Sequence, residues 1–121
     1  MGDCTYHYSV DGHSLTLGHQ GDVQLELART PLNQKLIRQA PADIVIRALY
    51  ERTLGRYGDR EDSYVRMEVR QARQNIYLQT TAINLATAAT DAFHDEQARE
   101  ALRLNKRCKP LYIMPVDRPR A

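Results

Sequence analysis

The sequence has no tryptophan and a single phenylalanine, and only two cysteines. Cys4 and Cys108 stand too far apart for a C-x-x-C or ligand pair, so the residues point to a reduced cytosolic chain rather than a disulfide scaffold. No apolar run approaches the roughly 20 residues that span a bilayer. The His- and Asp-bearing N-terminus lacks the apolar segment of a signal peptide. Neither G-x-S-x-G nor a P-loop nor G-x-G-x-x-G is present, which removes the strongest signals for a nucleophile elbow or a nucleotide cradle. His7, His13, His19 and His94 form no helical i, i+4 pair and have no carboxylate cluster beside them, so surface histidines are expected and no metal site. The net charge of +2 is too small to imply nucleic acid or membrane. The expected chain is therefore soluble and cytoplasmic.

What is present is an ordinary globular composition, 42% apolar and 26% charged in 121 residues, the size of one domain spanning residues 1–121. Charge is unevenly placed. Residues 1–30 carry one Arg against four acids, while Arg103 to Arg120 hold six bases and one acid. That basic end suits either contact with an anionic group or a solvated surface.

The longest regular pattern runs from 65 to 85. At about 100° per residue, Val65, Val69, Ala72, Ile76 and Ile83 share one face, and Met67, Leu78, Ala82 and Leu85 a second. Arg66, Arg70 and Arg73 line a third strip. Two apolar faces imply a helix with protein on both sides. Asp62 or Ser63 is a candidate N-cap, and Asn84 a candidate left-handed stop. The small apolar run LATAAT then reads as a covered strand.

Elsewhere, Tyr6 to Val10 and Ser14 to Leu17 read as a hairpin around an Asp-Gly step, and Gly18 to Gly21 as a polar break. Asp22 caps a short helix, VQLELAR, and Leu32 to Gln39 is either a helical turn or a loop. DIVIRALY reads as a strand, and Glu51 to Arg56 as a helical turn. His94-Asp95-Glu96 opens the helix QAREALRL, with bases near its end as the dipole favours. LYIMPV after Pro110 reads as a strand buried on both faces. The order β-β-α-β-α-β-α-β, without Gly-rich loops, predicts an α+β domain with a mixed sheet packed on the long helix.

The central stretch and its flanks also carry a family pattern. Arg56, Tyr57, Gly58, Arg60, Tyr64, Glu68, Gln74, Asn75, Leu78 and Gln79 fall in register with it. Leu85, Phe93, Asp95, Leu111, Tyr112, Pro115, Arg118 and Pro119 continue it without a gap. Together they resemble the nitroreductase family of flavin enzymes, nearest its SagB/ThcOx-type dehydrogenases, some of which oxidise azoline rings during peptide maturation. The resemblance implies the nitroreductase fold, bound FMN, and a homodimer or a heteromer with a full-length homologue. The implied substrate is a small molecule or a peptide.

It places Tyr57 and Arg56 where azoline oxidisers carry a catalytic Lys-Tyr pair, although a guanidinium is no general base. Asp91 and Ala92 would present an acid and a backbone N–H to the flavin ring, and Arg118 and Arg120 would contact its phosphate. The chain begins where the family's second half begins, so a fold truncated on its N-terminal side is expected. Arg70 and Gln71 replace the Gly and His of the family's helix, so Arg70 should widen a helix crossing or reach solvent. Asn84, Ala86, Asp91 and Ala92 stand where relatives have glycines. A second reading follows: a half-size relative without cofactor, serving as a dimeric binding protein, a partner subunit or a repurposed pocket.

Overall fold

A computed structural model describes residues 4–21, 34–49, 59–90, 95–104 and 108–119. Strands β1 (Cys4–Ser9) and β2 (Ser14–Gln20) form an antiparallel hairpin. Helix α1 (Gln34–Gln39) leads into β3 (Ala42–Leu49), and the long helix α2 (Asp59–Ala82) into β4 (Ala86–Thr87). Helix α3 (Asp95–Ala101) and β5 (Cys108–Asp117) complete the described elements. The second sheet has the order β3-β5-β4, so the last strand in the chain is the middle one in space. The α+β expectation holds, and every strand pairing among the described residues is antiparallel. The expected helix at VQLELAR and the turn at Glu51 to Arg56 lie outside the described residues. The ambiguous stretch Leu32 to Gln39 supplies α1 instead.

β5 organises two cores. Directly opposed residues in an antiparallel pair share a face, so Val45 with Ile113 point to one side and Ile46 with Tyr112 to the other. On the first side Ile113, fully buried, packs with Ile37 of α1 and with Ala98, Ala101 and Leu102 at α3. On the second, Leu111 and Ala48 meet Val69 of α2, with Val65, Ile46 and Tyr112 at the margin. The register slips between Ile46 and Arg47, which pair with Tyr112 and Pro110. Leu111 is thus the extra residue of a β-bulge, and Pro110 sits beside it, one of the few places a strand tolerates proline.

A second proline explains why LATAAT yields so little strand. Thr90 and Ile113 exchange both backbone hydrogen bonds, at 3.0 and 2.9 Å. Two residues along β5, the next bonded position falls on Pro115, which has no N–H to give. The ladder breaks there into the two-residue β4 and an isolated bridge at Thr90.

Helix α2 begins at Asp59, about one turn earlier than the sequence suggests. Asp62 and Ser63 are therefore inside it rather than at its N-cap position. Its stop is as expected. Asn84 has φ 62°, Asn84 N–H bonds Thr81 C=O at 3.1 Å, and Leu85 N–H bonds Thr80 C=O at 2.7 Å. These are the two bonds of a Schellman motif. Ile83, beyond the last helical turn, is exposed rather than part of the packed face.

Helix α3 ends in the same motif: Arg103 N–H bonds Glu100 C=O and Leu104 N–H bonds Arg99 C=O. Here the left-handed residue is Arg103, at φ 55°, where glycine carries no Cβ penalty. Arg103→Gly is expected to stabilise the protein by about 0.5–1 kcal/mol. Chemical denaturation checks this, and a loss of stability would show that the Arg103 side chain contributes more than its backbone strain costs.

The hairpin is oriented against intuition. Tyr6 opposes Leu17 and Tyr8 opposes Leu15, so all four share a face, and that face is exposed. The opposite face carries His7, whose Nδ1 accepts a 3.0 Å hydrogen bond from Arg47 of β3. Gly18 is no strand end but a bulge, since Thr5 pairs with His19 and Tyr6 with Leu17. A Cβ there would stand 3.1 Å from Thr5 O.

Candidate functional site

The residues that the family pattern proposes for chemistry fall unevenly in the structure. Tyr57, Arg56, Asp91, Ala92 and Arg120 lie outside the described residues. Arg118 is described and exposed, just past the end of β5, with its backbone N–H donating to Asp117 Oδ1 at 2.7 Å. Asn84 keeps the helix stop that relatives build with glycine, and Ala86 stands exposed on β4.

The polar strip of α2 leads to a site the sequence did not mark. Arg66, Val69 and Arg70 of α2 line a cleft of about 70 Å³ with Leu111 and Tyr112 of β5. Arg73 Nη1 donates to the Tyr112 hydroxyl at 3.2 Å, and its guanidinium carbon lies 5.0 Å from the ring centroid. The strip was legible as a stripe of arginines, but its meeting with Tyr112 depends on how α2 crosses β5. Arg70, expected to widen a crossing or reach solvent, is exposed at the mouth of this cleft.

At the far end of α2, the Tyr77 hydroxyl accepts the Ala89 N–H at 2.7 Å. Thr80 is buried and returns its hydroxyl to the carbonyls of Ile76 and Tyr77. The C-terminal half of the helix is thus tied to β5 through Arg73 and to the segment after β4 through Tyr77. Its second face is another matter. Leu78 is 60% exposed, and Tyr64 and Met67 are exposed with it. About 100° per residue places these three on one side of α2, turned from the Val65–Val69 face that packs on the sheet. The protein expected on both sides is present on one side within this chain.

Other titratable groups offer little. The Tyr6 phenol is held above its usual range of about 10, first by a hydrogen bond with the Cys4 side chain and then by desolvation. Tyr8 and His13 are hydrogen-bonded at 2.8 Å with rings edge to face at the hairpin tip. Cys4 and Cys108 are free thiols. Among the described residues no His, Cys, Asp and Glu cluster of three or more comes together, and no helix is long and apolar enough to cross a membrane.

The sequence model of the nitroreductase family matches residues 8–116. The chain belongs to the nitroreductase family. It is 42% identical over 113 residues to a Methanocaldococcus jannaschii protein that carries a nitroreductase name, covering 93% of this chain and 56% of that one. Among solved structures it is similar to a nitroreductase-named protein of Anabaena variabilis, with a TM-score of 0.86 and 28% identity, over 95% of this chain and 24% of that one. It also shares the fold of a chain in the Escherichia coli microcin synthetase complex bound to truncated pro-MccB17. There the TM-score is 0.83 at 20% identity, over all of this chain and 47% of that one. The chain thus spans little more than half of the first relative and a quarter of the second.

Flavin mononucleotide, which the family implies, can be set against the residues that are described. Arg118 is an exposed guanidinium suited to one phosphate contact. The 70 Å³ cleft is far below the roughly 300–1,000 Å³ of ordinary ligand pockets. None of the residues assigned to the flavin lines this cleft, and those assigned to the ring lie outside the described residues.

Proposed function

We propose that this chain forms one side of a flavin-dependent oxidoreductase of the nitroreductase family. In this reading it is a single domain acting in the cytoplasm on a small molecule or a peptide. The observation that carries the proposal is the family match across residues 8–116. The SagB/ThcOx-like assignment, with its link to peptide maturation, rests on the motif from Arg56 to Gln79. The likeness to the microcin synthetase chain supports only the fold.

The cofactor site is proposed to close against further protein, a reading that the exposed apolar side of α2 supports. That protein is a second copy or a full-length homologue, seated on the exposed Tyr64, Met67 and Leu78 side of α2. FMN would supply the electron and hydride chemistry once bound. In the chain itself, Arg118 and Arg120 are assigned to the phosphate, Asp91 and Ala92 to the ring, and Tyr57, with Arg56 beside it, to handling a proton.

The test is direct. Purified protein should carry yellow colour and a flavin mass, and FMN added at a hundred times its Kd should stabilise the assembly by about 2.7 kcal/mol. A colourless protein whose melting temperature ignores excess FMN would instead establish the second reading, a cofactor-free binding protein or partner subunit.

A further inference from the structure

We propose that the cleft between α2 and β5 is a binding site for one compact oxyanion group, a phosphate or a carboxylate, carried by a small molecule. Its floor and walls are Arg66, Val69, Arg70, Leu111 and Tyr112. Arg66 and Arg70 are four residues apart on α2, so both guanidiniums project from one face. Each is a planar fork whose paired N–H groups match two oxygens of a phosphate or carboxylate. Among the described residues that line the cleft, none is an acid.

Tyr112 supplies the third contact. Its hydroxyl accepts the 3.2 Å hydrogen bond from Arg73, and a phenol has one proton to give. That proton is directed elsewhere than to Arg73, which leaves it for an incoming oxygen. The Arg73 guanidinium over the ring, at 5.0 Å, holds the phenol in place and adds positive charge behind it. Val69 and Leu111, both buried, close the apolar side of the cleft. A volume of about 70 Å³ holds several waters, or the one anionic group that would displace them.

This site is separate from the one assigned to the flavin phosphate. Tyr112 and Arg118 are six residues apart along an extended segment, roughly 20 Å at about 3.3 Å per residue. One phosphate cannot touch both. The inference therefore does not rest on flavin binding, and its test uses the protein without flavin.

Thermal unfolding is followed with sodium phosphate or sodium succinate against sodium chloride at matched ionic strength. At least one of the two oxyanions should raise the melting temperature saturably above chloride, and which one does so identifies the group. Arg70→Gln, and separately Arg66→Gln, should remove that increment. Tyr112→Phe, which keeps the ring under Arg73, should weaken apparent affinity roughly tenfold, the loss of one hydrogen bond to a charged group. Arg38→Gln, on the exposed side of α1 and away from both sites, should leave the increment intact. The proposal fails if neither oxyanion exceeds chloride, if the Arg66 and Arg70 variants both respond as wild type does, or if Arg38→Gln abolishes the response.

Discussion

Ile113→Ala should cost about 2–5 kcal/mol, the range for truncating a buried aliphatic side chain that cannot be refilled. Ile113 is fully buried at the centre of β5. Its side chain joins Ile37 before β3 to Ala98, Ala101 and Leu102 at the end of α3, so no single neighbour can move in without parting from another. Its backbone is committed too, bonded twice to Thr90 and paired with Val45. Domains of this size have total stabilities of about 5–15 kcal/mol, so the loss would be a large fraction. A denaturant titration reads it directly. A cost below about 1 kcal/mol would mean that α1 and α3 do not share this strand as a common floor.

Leu78→Arg should do the opposite: little to the chain and much to its assembly. Exposed as it is, Leu78 can be replaced within about 0.5 kcal/mol of chain stability. Buried against a partner, the new guanidinium would be an unpaired charge, and such a charge is strongly destabilising. We expect self-association, or association with a full-length homologue, to weaken by at least about a hundredfold, near 2.7 kcal/mol. Flavin retention should fall with it, because the ring site is proposed to close in the assembly. Met67→Arg on the same side provides the parallel case. Sedimentation across a concentration series decides the matter: unchanged mass and unchanged flavin content in both variants would remove the partner from α2.

These two residues also mark what the sequence made legible. The Asp-Gly step between Tyr6 to Val10 and Ser14 to Leu17 and the 3.6-residue period from Val65 to Ile76 are local signals, and both elements formed, with β2 running on to Gln20 and α2 starting about one turn early. Asn84 was legible because few residues other than glycine accept a left-handed backbone. Less visible were features set by a neighbour in space. Nothing in LATAAT announces that its partner strand carries Pro115, so its shortness could not be read from it. Gly18 looked like punctuation because a bulge and a break use the same residue. Ile83 fitted the helical face by angle but falls between the last helical residue, Ala82, and the stop at Asn84. The cleft is the clearest case: Arg66, Arg70 and Arg73 formed a visible stripe, while Tyr112 looked like one more strand residue. Only the crossing of α2 over β5 makes them one site. The catalytic residues that the family pattern proposes, Tyr57 foremost, remain proposals that flavin chemistry on variants will test.

The placement of β5 has a consequence for biosynthesis. Its partner β3 pairs with it at sequence separations of 59 to 74, from Leu49–Cys108 to Ala42–Val116. A ribosome adding about 5–20 residues per second delivers that second strand several seconds after the first has emerged. Throughout the delay, ADIVIRAL is a nascent strand with open hydrogen-bonding edges, a form prone to stick to other chains. Chaperone dependence during translation, rather than fragility of the finished fold, is where this topology will make its demand on the cell.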